Sequence, residues 1–339
     1  MKRLRFGIIG CSGIAERSVI PAIISSRYSQ IEIFGSRDKK KSLDFSQKFS
    51  APKFGNYNDV IEDKNVDIIY ISTPNALHEK FAKKALENGK HVYVEKSAFA
   101  NYKITKQIIK IAQKNETRIM EGFMFRYHPQ HNQVNKLIKN NMIGKIKLFS
   151  GSFGFPKFPK NNIRYNKELG GGFLNDAGCY PISAARMIFR DEPISVTAKM
   201  INDKKFGVDI EGASIMQFKG GKMATITYGH ERYYQSSYSV WGSNGIISLE
   251  RAYSIPYDFK AKIQCNFSNG VKWEDRKQKE IFLKPSNHFK NMIEDFCKEI
   301  IKGKKSKKDF ESEIINQARV MQAHRESASK GKEIFIEDL

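Results

Sequence analysis

The sequence has few cysteines: four in 339 residues, with no Cys-x-x-Cys pair and no metal-binding spacing with histidine. This scarcity argues against a disulfide framework and a structural zinc site, and it favours a reducing compartment. Long hydrophobic runs are also absent. The apolar run 68–71 is far shorter than the ~18 residues that a membrane-spanning helix needs, and no signal-peptide pattern is present. We therefore expect an unprocessed cytoplasmic protein without a membrane partner.

The chain has few acidic residues: it contains 36 aspartates and glutamates but 58 lysines and arginines, which gives a formal net charge of +22. Such a charge can attract nucleic acid or anionic small molecules. Lysine is frequent along the whole chain, however, and no helix-turn-helix or RNA-binding motif is present. We therefore expect a solvated basic surface, no nucleic-acid partner, and some attraction of anionic ligands.

The first third of the chain alternates short apolar runs with helical patterns. Strands are predicted at 4–9, 31–34, 68–72, 91–94 and 118–120, and helices at 14–25, 76–88 and 104–112. Strands that alternate with helices of this length are typical of right-handed βαβ crossovers and a buried parallel sheet.

After about residue 122 the pattern changes to extended runs joined by hairpin-type turns. Strands are predicted at 145–155, 195–200, 213–218, 223–230, 236–241, 246–249 and 279–283, and helices at 129–140, from about 176, at 289–301 and at 311–329. The stretch 304–308 is predicted to be a surface connection. This order favours an α+β domain with a large, mostly antiparallel sheet.

A glycine-rich turn follows the first strand, in the sequence Gly-Cys-Ser-Gly-Ile-Ala at 10–15. A strand–turn–helix setting is what the dinucleotide fingerprint requires. Gly10 suits the tight turn, Ala15 permits close packing of helix and strand, and the helix start presents free N–H groups to a pyrophosphate. Ser12 replaces the usual second glycine, and its hydroxyl can donate to a phosphate.

Further segments resemble the glucose-fructose oxidoreductase / inositol dehydrogenase / MocA-type family. Residues 72–78 (Ser-Thr-Pro-Asn-Ala-Leu-His) and 95–97 (Glu-Lys-Ser) are similar to its Thr-Pro-Asn and Glu-Lys-Pro motifs, with Ser97 in place of proline. Residues 126–129 are similar to its aromatic-Arg stretch. Residues 170–181 are similar to its Gly-Gly-Gly-x-Leu-x-Asp-x-Gly-x-Tyr segment. The matches occur in family order and cover residues 3 to about 330.

The resemblance implies an α/β protein with a Rossmann domain at 1–123, and an α+β domain at 124–339 for substrate binding and oligomerisation. It further implies hydride transfer between NAD or NADP and a sugar or polyol carbon, without a metal, in a cleft between the domains. A homodimer or homotetramer through the second sheet is also implied. The expected cofactor-binding residues are Gly10, Ser12, Gly13, Ile14, Ala15, Ser36, Arg37, Thr73, Pro74, Asn75, His78, Glu95, Lys96 and Arg126.

Hydride transfer to a ketone leaves an alkoxide, so a proton donor is needed, and the motif match points to Tyr180. A lysine ammonium lowers the pKa of a nearby phenol, and Lys96 suits this role while also bonding the nicotinamide ribose. Asp176 precedes Tyr180 by four residues, which places both on one helix face, and we assign it to a substrate hydroxyl. Two alternatives stay open: Asp176 as a helix N-cap and His78 as a structural histidine.

Residues around the glycine loop narrow the range of expected substrate classes. Tyr180, instead of histidine, resembles the branch with dihydrodiol dehydrogenases, aldose dehydrogenases and nucleotide-sugar ketoreductases. Arg164 and Tyr165 resemble the substrate-binding part of the ketoreductases of nucleotide-linked deoxysugars. We expect such a ketoreductase. Dehydrogenation of a free aldose, polyol or dihydrodiol, or a non-catalytic nucleotide sensor, are the alternatives.

The end of the second strand predicts the cofactor. NAD-selective Rossmann domains place an acid there, whereas a nearby arginine accommodates the 2′-phosphate of NADP. Ser36 aligns with the acidic position and Arg37 follows, so we expect NADP. A shift by two residues would bring Asp38 to that position and would favour NAD.

Overall fold

The structure is a computed structural model that describes residues 3–268, 270 and 273–339. The chain forms two compact units. The first contains the residues up to 124 together with 289–318, and the second contains 125–288 together with 319–339. The division at 123/124 that the sequence suggests differs from this in one respect: residues 289–318 pack with the first unit.

The first unit contains a six-stranded, fully parallel sheet. Its strands are β1 (Leu4–Ile9), β2 (Ser29–Gly35), β3 (Lys53–Gly55), β4 (Ile68–Ile71), β5 (His91–Val94) and β6 (Ile119–Glu121). The spatial order is β3-β2-β1-β4-β5-β6. The order reverses at β1, which is the point where open α/β sheets bind dinucleotides at the carboxyl ends of their strands.

Helices connect these strands: α1 (Ile20–Ser25), α2 (Lys39–Lys48), α3 (Tyr57–Glu62), α4 (His78–Glu87) and α5 (Tyr102–Lys114). A wider, π-helical turn at Ala15–Val19 precedes α1. The sequence patterns missed α2, β3 and α3. The segment of α2 is rich in lysine and serine, so it lacks a strong apolar period, and the side chain of Asp38 marks its beginning as the N-cap.

The second unit is built around a nine-stranded sheet. Its first elements are α6 (Pro129–Lys139), β7 (Ile146–Gly154), α7 (Cys179–Phe189), β8 (Ser195–Asn202), β9 (Asp209–Gln217), β10 (Met223–Gly229), β11 (Gln235–Gly242), β12 (Gly245–Leu249), β13 (Lys262–Ser268) and β14 (Arg276–Phe282). The helices α8 (His288–Lys302) and α9 (Phe310–Lys330) and the strand β15 (Ile334–Phe335) end the chain. The patterns did not predict β13 or β15.

The sheet has the order β14-β13-β12-β11-β7-β10-β9-β8-β15. Only the β7–β10 pair is parallel among these described strands, so the expected mostly antiparallel sheet, and with it the expected fold class, is confirmed. Side chains alternate along the strands, with Phe149, Met216 and Val240 buried on one face. The other face carries exposed Ile215, Met223 and half-exposed hydroxyl residues.

The C-terminal part of the first unit is tied to the edge of its sheet. Glu311 of α9 accepts from Arg118 Nε at 2.9 Å and from the backbone N–H of Ile119 in β6 at 3.1 Å. Ile314 joins the apolar core beneath the sheet. Among the described residues, no helix combines the length and the apolar character needed to cross a membrane.

Candidate functional site

The glycine-rich turn lies directly at the carboxyl end of β1. Gly10 has φ +100°, and a Cβ there would meet the backbone carbonyl of Ser72 at about 3.0–3.1 Å. The Ser72 hydroxyl donates to the Gly10 carbonyl at 2.6 Å, so the ends of β1 and β4 are joined. Ser12 Oγ accepts from the N–H of Ala15 at 3.2 Å, and an accepting hydroxyl keeps its own hydrogen for a further partner.

A cavity of about 500 Å³ opens at this edge of the sheet. The predicted cofactor residues that line it are Gly10, Ser12, Ser36, Arg37, Thr73 and Pro74. The lining also includes residues that sequence reasoning missed, among them Lys41 and Tyr57. Both belong to helices that the patterns did not predict, which is why they escaped notice.

The end of β2 settles which residue follows the strand. Ser36 comes directly after β2, and its Oγ accepts from the N–H of Asp38 at 3.2 Å. The carboxylate of Asp38 caps α2 by accepting from the N–H groups of Lys40 and Lys41 at 2.9 and 3.4 Å. Asp38 is therefore engaged as a helix cap, and Ser36 occupies the position next to the strand. Arg37 and Lys41 bring two cations to the cavity.

His78 is fully buried and connects two loops. Its Nε2 lies 2.9 Å from the carbonyl oxygen of Thr73, and its Nδ1 lies 3.1–3.2 Å from those of Ser97 and Ala98. Burial lowers the pKa of His78. Because no part of the ring is exposed, these contacts give His78 the structural role that the sequence left open, between the Thr-Pro-Asn stretch and the Lys96 loop.

Lys96 follows β5 on a short loop. The Lys96–Ser97 peptide bond is cis. The N–H of Ala98 donates to Glu121 Oε1 at 2.8 Å, which attaches the loop to the end of β6. Glu95, predicted as a cofactor residue, accepts from two phenols of the neighbouring strands, Tyr70 and Tyr93.

In the second unit, the glycine loop places Arg164 next to Asp176. The N–H groups of Gly171 and Gly172 donate to the carbonyls of Asn166 and Arg164, both at 2.9 Å, so the loop folds back on residues 164–166. Arg164 Nε then lies 2.5 Å from Asp176 Oδ2. Two predicted substrate residues, twelve positions apart, thus form an ion pair.

Asp176 lies inside a π-helical turn, Leu174–Gly178, which continues into α7. The N-cap of this turn is Phe173, so the alternative of Asp176 as N-cap is wrong. π-Helical turns inside helices often mark functional sites. Tyr180, 6% exposed, is the second residue of α7 and lies among aromatic rings. Their centroids are 5.1 Å (Phe153), 5.7 Å (Phe125) and 5.9 Å (Tyr253) from its own.

Two distant residues that the sequence did not single out hold this turn in place. Asp209, at the start of β9, accepts from the N–H of Leu174 at 2.5 Å. Arg325 of α9 donates to Asn175 Oδ1 at 2.5 Å, and its charge acts on Asp209. Burial raises the pKa of Asp209, whereas the Leu174 bond and Arg325 lower it. No local pattern connects these residues to residue 176.

Two further predicted residues, Arg126 and Tyr165, belong to the second unit. Arg126, in the short 3₁₀ helix Met124–Tyr127, donates from Nη1 to Ser183 Oγ of α7 at 3.4 Å. Tyr165 is buried and its ring stacks on Phe206 at 4.8 Å. Both rings line a cavity of about 330 Å³ with Lys160, Lys167, Lys205 and the amides of Asn161, Asn162 and Asn166.

Two family models match consecutive parts of the chain. Residues 4–123 match the model of an oxidoreductase family with an NAD-binding Rossmann fold, and residues 131–248 match the GFO/IDH/MocA C-terminal domain.

Individual relatives extend this match over most of the chain. The dTDP-3,4-didehydro-2,6-dideoxy-α-D-glucose 3-reductase of Saccharopolyspora spinosa is 32% identical over 78% of this chain and 79% of its own. The D-xylose 1-dehydrogenase (NADP⁺) 2 of Haloferax volcanii is 27% identical over 98% of this chain and 100% of its own. A solved 3-ketoreductase of Actinomadura kijaniata, in complex with NADP and TDP-benzene, superposes with a TM-score of 0.90. It is 27% identical over 96% of this chain and 98% of its own.

The glycine loop generates a stability prediction. Gly172 has φ +109°, and a Cβ there would overlap Asp209 Oδ1. We expect Gly172→Ala to lower the free energy of unfolding by about 1–3 kcal/mol from the backbone alone, with the displaced carboxylate adding to the loss. Gly220→Ala is the control, since Gly220 also has positive φ (+73°) but no atom within 4 Å of the added Cβ. Equal losses in chemical denaturation would contradict a specific Gly172–Asp209 fit.

Proposed function

Because the chain belongs to the GFO/IDH/MocA family of oxidoreductases, we propose that it is an NADP(H)-dependent ketoreductase of a nucleotide-linked (deoxy)sugar. The observation that carries the proposal is the arrangement on the second unit. Tyr180, the proposed proton donor, lies on α7, and Asp176, the proposed acceptor from a substrate hydroxyl, lies on the π-helical turn that continues into α7. Arg164 is paired to the Asp176 carboxylate. The sugar-nucleotide reductases among the relatives support the same class of substrate.

A nucleotide-linked substrate requires a place for an anionic diphosphate. The cavity that Tyr165 and Phe206 line brings three lysines and three asparagine side chains to one place. Ammonium groups attract phosphate, and the stacked rings offer a face to a base. We propose that the nucleotide end of the substrate lies against this cavity, next to the segment that carries Arg164.

Each side chain has a defined task in the proposed reduction. A bound nicotinamide cofactor would supply the hydride that the carbonyl carbon receives. The first unit suits this cofactor for two reasons. A Cβ at Gly10 would crowd the Ser72 backbone, and the side chains of Arg37 and Lys41 give the cavity lining a positive charge that suits phosphate. Tyr180 donates its phenolic proton to the developing alkoxide and regains one from solvent; in the oxidative direction it accepts the proton. Asp176 accepts a hydrogen bond from a substrate hydroxyl, and Lys96 supplies a positive charge and a hydrogen-bond donor.

Oxidation of a free aldose is the second candidate. The D-xylose dehydrogenase matches this chain over nearly the full length of both proteins. A screen of nucleotide-linked keto-sugars against free aldoses, each with both cofactors, separates the two functions. Turnover of free aldoses alone would overturn the nucleotide-sugar proposal.

Tyr180→Phe tests the proton donor. We expect turnover to fall by roughly 10²–10⁴-fold, the usual contribution of general acid–base catalysis, while cofactor binding and fold are kept. Tyr253→Phe is the matched control, because it removes a hydroxyl from the same aromatic cluster but from a residue that bonds only to the backbone of Ser237 in its described contacts. Near-normal turnover of Tyr180→Phe would remove Tyr180 from the mechanism.

Cofactor choice is tested at the end of β2. Ser36→Asp places a carboxylate where the 2′-phosphate of NADPH would lie, so we expect the ratio of specificity constants for NADPH and NADH to reverse in favour of NADH. Lys41→Ala should lower the specificity constant for NADPH by about tenfold and leave that for NADH nearly unchanged. Lys40→Ala, on the same helix but outside the cavity lining, is the control. A clear advantage for NADH in the unmodified protein would contradict the NADP proposal.

We also propose that the open face of the nine-stranded sheet binds a second copy of the chain. It carries exposed apolar residues on β9, β10 and β11, namely Ile215 (46% exposed), Met223 (46%) and Trp241 (58%), although large apolar groups are usually removed from water.

The expected result is a dimer or tetramer in light scattering, which Trp241→Glu should dissociate toward the monomer. Tyr257→Glu is the control, since Tyr257 is exposed outside the strands. A monomeric unmodified protein would contradict the proposal.

A further inference from the structure

The loop that carries Lys96 begins at Glu95, whose carboxylate accepts hydrogen bonds from two tyrosine hydroxyls. Tyr70 and Tyr93 are register partners on the parallel strands β4 and β5, and each is the last but one residue of its strand. The centroids of their rings lie 4.6 Å apart. Both hydroxyls donate to the same atom, Oε1 of Glu95, at 2.7 Å from Tyr70 and 3.3 Å from Tyr93.

Strand geometry explains why these three side chains meet. Tyr93 and Glu95 are two positions apart, so their side chains leave the strand on the same side, and Tyr70 reaches that side from the neighbouring strand. Both tyrosines are buried, with at most 1% of their surface exposed. Gly122 closes the cluster. A Cβ there would lie 3.0 Å from the Tyr93 ring and 3.3 Å from Glu95 Oε2.

The groups around Glu95 act on its charge in opposite directions. Burial, the largest effect, raises the pKa of Glu95 above its ordinary value, and the Tyr70 bond, the charge of Lys96 and the Tyr93 bond limit that rise. Ser72 contacts Tyr70 from the end of β4. On the far side of the Lys96 loop, Glu121 accepts from the N–H of Ala98, and burial lowers the pKa of His78.

We propose that Tyr70 and Tyr93 are positioning residues, which keep Glu95 ionised so that its carboxylate holds the charged ammonium of Lys96 in the orientation used for the reaction. The proposal rests on the role given to Lys96 in the proposed function. Each phenol compensates part of the cost of leaving a carboxylate in a partly buried site. When Glu95 takes up a proton, Lys96 loses the negative charge that acts on it, and we expect turnover to fall.

A pH profile of kcat/KM for the keto-sugar tests this. Activity should decline as the pH falls through the pKa of Glu95. Tyr70→Phe removes a donor to the carboxylate, which raises that pKa, so the acidic limb should move to higher pH by roughly one to two units. Tyr93→Phe, which loses the longer bond, should move the limb in the same direction by less. Tyr28→Phe removes a buried phenol elsewhere in this unit and should leave the limb unchanged.

Glu95→Gln and Lys96→Ala complete the experiment. Glu95→Gln should abolish the acidic limb and lower kcat at every pH toward the level of Lys96→Ala, with a smaller change in KM for the cofactor. If Lys96→Ala lowers turnover but neither tyrosine variant moves the limb, the present inference is wrong and the proposed function stands. If Lys96→Ala retains normal turnover, the role of Lys96 in the proposed function fails first.

Discussion

Parallel hydrogen bonding among β1, β2, β4 and β5 is the constraint on which the whole first unit depends. Parallel strands end at the same edge of their sheet, so residues that follow each strand are brought together although up to 86 positions separate Gly10 from Lys96 along the chain. The glycine turn, Ser36, the Thr-Pro-Asn stretch and the Lys96 loop all lie at this edge. The cavity forms there because the strand order reverses at β1.

Polar groups at this edge are held by one another. Ser72 joins the ends of β1 and β4, His78 joins the Thr73 and Ser97 backbones, and Glu121 joins the Lys96 loop to β6. Backbone groups in loops need such partners, since an unpaired buried donor or acceptor costs about 1–3 kcal/mol. The loops that carry the proposed chemistry are therefore fixed by side chains rather than by regular secondary structure.

In the second unit, charged side chains hold the turn that carries the proposed chemistry. The turn that carries Asp176 is bonded by Asp209 to its backbone and by Arg325 to Asn175, while Arg164 pairs with Asp176 itself. Contacts from charged side chains to three successive residues, Leu174, Asn175 and Asp176, restrict the position of this turn. A glycine at 172 is needed because the Asp209 carboxylate occupies the space of a Cβ.

The sequence by itself determined the strands and helices with strong apolar periodicity, the fold class, and the positions of the motif residues Lys96, Asp176 and Tyr180. These are local properties, since period, glycine stops and residue order are all written along the chain. The lysine-rich α2 and the short β3 and β15 escaped prediction because their apolar signal is weak, and Lys41 escaped with them. The seven-residue β13 was also missed, although Ile263, Cys265 and Phe267 alternate along it.

Only the tertiary structure decided which polar groups meet. The pairing of Arg164 with Asp176, of Asp209 with Leu174, and of Tyr70 and Tyr93 with Glu95 joins residues from different elements. It likewise decided that Asp38 caps a helix and leaves Ser36 at the end of β2. The physical reason is that a hydrogen bond or an ion pair depends on distance in space, and strand register and loop path set that distance without leaving a local pattern in the sequence.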